Sequence, residues 1–147
     1  MTVVNRSALL PYSAERMYAL VADIDSYPQF LPWCRSSGFI DRSDPEAVKA
    51  FIEIAKGAVS KRFTTLNRMQ HGKIIEMNLL DGPFRHLRGY WRFEALRDDA
   101  CKVWLDMDFE FSNRLVAMAF GPIFHQAVNT LVDAFVERAA QVYGKAD

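Results

Sequence analysis

The stretch Leu87-Arg88-Gly89-Tyr90-Trp91-Arg92-Phe93 decides the fold. Leu87, Gly89, Trp91 and Phe93 point one way, while His86, Arg88, Tyr90 and Arg92 point the other. Side chains alternate across a strand, so this pattern predicts a strand with one dry face and one wet face. Cys101 to Phe111 repeats it, with Cys101, Val103, Leu105, Met107, Phe109 and Phe111 against Lys102, Asp106, Asp108 and Glu110. Both strands keep odd numbers inside, so opposed residue numbers must sum to an even value. A plain two-residue loop at Asp98-Asp99 breaks that rule. The parity predicts a three-residue loop, Asp98 to Ala100, or an equivalent bulge. Arg92 is then expected opposite Asp106, and Arg88 opposite Glu110, as charge pairs.

Upstream, Val48, Ala50, Ile52 and Ile54 share one face of a strand, and Ile75, Met77 and Leu79 share a face of another. Between them, Lys61 to Met69 places Lys61, Thr65 and Asn67 on the face of Phe63 and Met69, so its inner side is partly polar. Gly72 and Asp81-Gly82-Pro83 mark turns. Thr2 to Leu10 reads as the first strand, and Ser13 as the N-cap of a short helix reaching Ala22. Pro28 and Pro32 limit Asp23 to Trp33 to a second short helix and a stop.

Downstream of Phe111 the period becomes helical. Leu115, Met118, Val128, Leu131, Val132, Phe135, Ala139 and Val142 form a stripe, with Asn129, Asp133, Glu137 and Gln141 facing away. Pro122 is expected to kink this helix near its first third. A long helix after meandering strands must lie across their apolar face, because neither buries its stripe alone. The expectation is an α+β fold, one domain over residues 1–147, with a curved antiparallel sheet around a long C-terminal helix.

Composition narrows the function. Half of the 147 residues are hydrophobic and the formal net charge is zero. That excludes a disordered chain and any global steering toward nucleic acid or an anionic membrane. Cys34 and Cys101 lie far apart and in no metal-like spacing, and the N-terminal residues do not read as a secretory signal, so free reduced thiols in a cytoplasmic protein are expected. The apolar stretch Leu115 to Phe124 is broken by Gly121 and Pro122 and is too short to span a bilayer. His71, His86 and His125 have no metal-ligand spacing, and no phosphate loop, nucleophile elbow or CxxC pair is present. The reading is a protein with no catalytic residues, no metal and no cofactor.

Three motifs resemble one family. They are Tyr27-Pro28-Gln29-Phe30-Leu31-Pro32-Trp33-Cys34, DGPFRHLRGYWRF over Asp81 to Phe93, and Phe109-Glu110-Phe111 followed by Gly121-Pro122 and Val132-Asp133-Ala134-Phe135. In order and along the whole chain they look like the START-like superfamily, in the polyketide cyclase-like branch of ribosome association toxins (RatA) and coenzyme Q-binding proteins. The resemblance implies a helix-grip fold, with two short helices after the first strand and a tunnel between sheet and long helix. It further implies a bound ubiquinone or related prenyl lipid that supports respiration. The alternative it implies is a toxin that binds the large ribosomal subunit and blocks its joining with the small one.

The candidate ligand-binding residues are Phe30, Trp33, Phe84, Trp91, Phe93, Phe109, Phe120, Phe124, Val128 and Leu131. Taken singly each reads as core, and taken together they read as pocket walls for a flat apolar ligand. Phe84 and the segment Phe120 to Phe124 are either an entrance or a plug. Thr65 and Asn67 in such a cavity need partners, either water or a ligand carbonyl. Arg85, Arg88 and Arg92 are the candidate ribosome contacts, through phosphate. Asp106, Asp108 and Glu110 alongside favour a charge-paired wet face instead. The partners expected are thus a hydrophobic small molecule, the large ribosomal subunit and a transient membrane-surface contact. The expected location is cytoplasmic, peripheral at the inner membrane face.

Overall fold

A computed structural model describes residues 1–144. Seven strands form one sheet: β1 (Thr2–Leu10), β2 (Cys34–Asp41), β3 (Ala47–Lys56), β4 (Val59–Gln70), β5 (Ile74–Asp81), β6 (Phe84–Arg97) and β7 (Ala100–Phe111). Their spatial order is β1-β7-β6-β5-β4-β3-β2, and every neighbouring pair is antiparallel. Helix α1 (Ala14–Ala22) follows β1, and the Ser13 hydroxyl caps it by accepting from the Arg16 N–H. A two-turn 3-10 segment, Ile24–Gln29, comes next and contains Pro28. After β7 come α2 (Arg114–Ala119) and α3 (Gly121–Tyr143).

The alternation holds over Leu87 to Phe93 of β6 and Cys101 to Phe109 of β7. Leu87, Gly89, Trp91 and Phe93 are buried, as are Cys101, Val103, Leu105, Met107 and Phe109. Each large apolar side chain taken fully out of water stabilises by about 1.5–3 kcal/mol, so slipping either strand by one residue would expose the whole set. The parity therefore survives, by the bulge alternative. Asp98 and Asp99 form a two-residue connection, and the register shifts between Ala95 and Arg97.

The expected charge pairs are corrected by two residues. Arg92 stands opposite Trp104 rather than Asp106, and Arg88 opposite Asp108 rather than Glu110. Burial fixes parity but cannot distinguish two registers that differ by an even step. The Arg92 guanidinium lies 4.0 Å from the Trp104 ring centroid, and Arg88 turns across to Glu76 on β5 at 2.8 Å.

The C-terminal helix also differs from expectation. Pro122 does not kink one long helix; it occupies the first turn of α3, after a break at Phe120. Proline lacks the N–H that a first turn leaves unpaired, so that position accepts it at no cost. Leu115 and Met118 consequently fall on α2, 78% and 70% exposed, outside the buried stripe, and Val142 is exposed too. The stripe that packs on the sheet is Phe124, Ala127, Val128, Val132, Phe135 and Ala139. Asn129, Asp133, Glu137 and Gln141 face away as expected. The Tyr143 hydroxyl donates to the Arg16 carbonyl at 2.9 Å, tying the end of α3 to α1.

Candidate functional site

Helix α3 lies on the concave face of the sheet without filling the space beneath it. The residual cavity measures about 60 Å³. From α3 it is lined by Phe124, Ala127, Val128 and Leu131, and from β3 by Ala50, Ile52 and Ile54. Strands β4 to β7 contribute Phe63, Met69, Met77, Leu87, Trp91 and Met107. Val21 at the end of α1 and Ile24 at the start of the 3-10 segment also line it. A buried water needs about 10–15 Å³ on this scale. The cavity thus has room for a few waters or one small ring, and not for an extended isoprenoid tail.

Local sequence explains the void. Ala50, Gly89 and Ala127 contribute little volume at inward positions. A Cβ on Gly89 would stand 2.3 Å from the terminal methyl of Met77 and 3.1 Å from that of Met107. The glycine is what lets both methionines reach inward over β6. Methionine is unbranched and polarizable, so such a wall can repack around different shapes.

Two polar groups interrupt the apolar lining. Thr65 and Asn67, 6% and 3% exposed, are the buried polar side chains of the described residues, and both line the cavity. The Thr65 hydroxyl donates to Asn67 Oδ1 at 2.7 Å. Lys61, expected on the same face, is exposed near the strand end. Tyr27 brings the lining its one titratable group. Burial raises its pKa above the ordinary range, and its hydroxyl donates to the Val21 carbonyl at 2.5 Å.

Of the ten candidate ligand residues, the structure brings Trp33, Trp91, Phe124, Val128 and Leu131 together around the cavity. Phe84, Phe93, Phe109 and Phe120 are buried elsewhere in the core. Phe84 packs on Phe124 at 4.8 Å, on Phe63 at 5.6 Å and on Phe120 at 6.1 Å between ring centroids. These rings meet edge to face, an arrangement that fills space well. Of the two readings of Phe84 and the segment Phe120 to Phe124, entrance or plug, this packing matches the plug. Phe30 lies outside the cavity, in an open groove that also contains Pro32, Ile123 and Arg138. Trp33 and Ala127 border both spaces and separate the groove from the interior. Many of the lining residues not named as ligand contacts are inward positions of β3 to β5, which the period-two alternation marks as inward without separating pocket wall from core.

The candidate ribosome contacts sit on the opposite, outer face. Arg85 pairs with Glu110 at 3.5 Å, Arg88 with Glu76 at 2.8 Å, and His86 with Asp108 at 2.5 Å. Arg92 shares the Trp104 ring with Lys102, whose nitrogen is 4.7 Å from the centroid. The three arginines are exposed and each has a partner. Exposed pairs of this kind contribute only about 0–1 kcal/mol, so they do not lock the guanidinium groups away from another anion.

Among the described residues no group of three His, Cys, Asp or Glu side chains is placed to hold a metal ion, and no helix is long and apolar enough to cross a membrane. Cys34 and Cys101 are free and buried, and burial pushes the Cys101 thiol up to about 11.

Comparison with known proteins places this architecture. The ribosome association toxin RatA of Pseudomonas aeruginosa is 49% identical over 97% of this chain and 99% of its own length. The mitochondrial coenzyme Q-binding protein COQ10 homolog B of Xenopus laevis is 29% identical over 96% of this chain, which spans 59% of that protein. A START superfamily protein of Mycobacterium smegmatis superposes with a TM-score of 0.80 at 19% identity, over 95% of this chain and 98% of the other. Residues 10–136 match the family described as polyketide cyclase / dehydrase and lipid transport. With the curved sheet, the clasping helix and these matches in agreement, this chain belongs to that family and has its START-like helix-grip fold.

Proposed function

We propose that this protein binds a small apolar molecule in the cavity under α3 and performs no chemistry on it. The observation that carries this reading is a concave void with a wall of aromatic, aliphatic and methionine side chains. Apolar concave sites with a few placed polar groups are the usual form of small-molecule sites. The non-catalytic reading is supported by the lining itself, where the titratable group, Tyr27, is committed to a backbone carbonyl. The ring of ubiquinone or a related prenyl lipid suits such walls, and the coenzyme Q-binding relative supports that choice. Its tail would require Trp33 to swing aside and the outer groove to take the chain. Exposed Leu115 and Met118 on α2 support a transient membrane contact during such an exchange. Organic extraction of protein purified from its native host, followed by mass spectrometry, is expected to find the ligand. Leu131→Trp or Val128→Trp is expected to abolish uptake with the fold intact. Extracts without lipid, together with no uptake in vitro, would overturn the reading.

A second reading rests on a separate observation, near-full-length identity of 49% to a protein named for ribosome association. In this reading the protein is cytoplasmic and binds the large ribosomal subunit, with Arg85, Arg88 and Arg92 as phosphate contacts. Sedimentation through sucrose should then carry it with large subunits, and rising salt should release it. Arg88→Glu and Arg92→Glu should each weaken that co-sedimentation. A protein that stays at the top of a low-salt gradient ends this reading. Interior cavity and outer face use different residues, so both activities fit on one molecule.

A further inference from the structure

We propose that Asn67 is a ligand-recognition residue, whose side-chain amide donates a hydrogen bond to a carbonyl-type oxygen on the molecule held in the cavity. Thr65 is the positioning residue that fixes the amide's orientation. This rests on the cavity reading above and adds the chemical class of the ligand, a small apolar ring bearing one hydrogen-bond acceptor.

The argument starts from position. Asn67 and Thr65 lie two residues apart on β4, on the same inward face as Phe63 and Met69. Across the strand pairs, Asn67 stands opposite Val48 on β3 and Met77 on β5, and Thr65 opposite Ala50 and Leu79. Every one of these neighbours is apolar. Inward positions of the other strands that line the cavity carry apolar side chains or glycine. Two polar residues at such positions weaken the core unless their hydrogen-bonding capacity is used.

Their capacity is only partly used within the protein. The Thr65 hydroxyl donates to Asn67 Oδ1, and this is the side-chain hydrogen bond the structure gives Asn67. It orients the amide and satisfies its oxygen. No protein acceptor faces the amide nitrogen, and no fully buried side-chain polar atom of the described residues lacks a partner, so in this 3%-exposed residue the two N–H bonds open onto the free volume of a cavity with few other polar groups. A group of that kind selects an acceptor and discriminates against a hydrocarbon of the same shape. The Tyr27 hydroxyl does not compete, since it donates to the Val21 carbonyl.

The test uses two probes of nearly the same shape, acetophenone and α-methylstyrene, in which the carbonyl oxygen is replaced by a methylene. Dissociation constants are measured by ligand-observed NMR titration of the full chain. Asn67→Leu is expected to weaken acetophenone about 3- to 10-fold, the range of one net hydrogen bond. The same variant should leave α-methylstyrene unchanged or bound more tightly, because an apolar group replaces a polar one at the cavity wall. Thr65→Val is expected to produce a smaller, roughly 2-fold, loss for acetophenone alone. If Asn67→Leu does not fold, Asn67→Ala gives the same ketone-against-hydrocarbon comparison. Equal shifts for both probes, or undiminished acetophenone binding, would overturn the assignment of Asn67 while leaving the cavity reading standing. If neither probe enters the unsubstituted protein, the cavity reading itself fails and the inference goes with it.

Discussion

Two parts of the space beneath α3 begin from the same kind of sequence and end differently. At one end, Phe63, Phe84, Phe109, Phe111, Phe120 and Phe124 form a continuous cluster, with ring centroids 4.8–6.1 Å apart. At the other, Ala50, Gly89 and Ala127 alternate with methionines and Trp91, and a void remains. Both ends carry apolar residues at alternating positions, so hydrophobicity does not distinguish them. Shape does, because six flat rings interlock, whereas small residues beside flexible thioethers leave volume between them. The filled end is closely packed, and the open end leaves the volume in which the candidate site lies.

The largest test of that contrast is Phe109→Ala. Phe109 is fully buried, and its ring lies 4.8 Å from that of Phe124. Removing it should destabilise by about 3–5 kcal/mol, read by urea denaturation. A loss below about 1 kcal/mol would mean that the cluster is not the packed end described here.

Next in size is Gly82→Ala. Gly82 has φ +153, and a Cβ there would stand 2.5 Å from the Phe63 Cβ and 3.2 Å from its Cα. Neither the dihedral nor the backbone can give way, so a loss of about 1–3 kcal/mol is expected. Unchanged stability would show that the packed end tolerates intrusion as the cavity does.

A smaller effect comes from alkaline pH. Burial pushes the Cys101 thiol from 9.0 up to about 11, and raises Tyr27 as well. The native state keeps a proton that the unfolded chain releases above about pH 9, so stability should fall as pH rises from 9 to 11. For Cys101 alone the loss is about 1 kcal/mol by pH 10. Cys101→Ala should flatten the slope of unfolding free energy against pH over that window; an unchanged slope would mean that the thiol ionises as easily folded as unfolded.

The smallest effect on stability, Gly89→Ala, is the sharpest test of the open end. Its Cβ meets chiefly the movable methyl of Met77, which has empty volume to enter. Stability should change by less than about 1 kcal/mol, while binding of acetophenone weakens as the cavity shrinks. A large destabilisation would show that the wall is as rigid as the phenylalanine end.

The parity of β6 and β7, the cap at Ser13 and the outward row Asn129, Asp133, Glu137 and Gln141 were all legible from the chain, because each depends on spacing along it. The register pairing Arg92 with Trp104 was not, since an even slip leaves the same side chains buried and only the bulge at Leu96 selects between the alternatives. The role of Pro122 was equally hidden, because a proline reads the same whether it kinks a helix or begins one. Among the aromatic candidates, Trp33, Trp91 and Phe124 were legible as apolar, but nothing in their spacing separates cavity wall from plug.

By itself, then, the order of residues determined which side chains turn inward, where the helices start and that one sheet must hold one long helix, since burying alternating apolar positions admits no other arrangement. Only the tertiary structure decided where the interior stays empty, because a void is the volume left when particular side chains from β3 to β7 and α3 meet. That is also why the pairing of Thr65 with Asn67, two unremarkable polar letters on a strand, acquires meaning only once the apolar walls close around them.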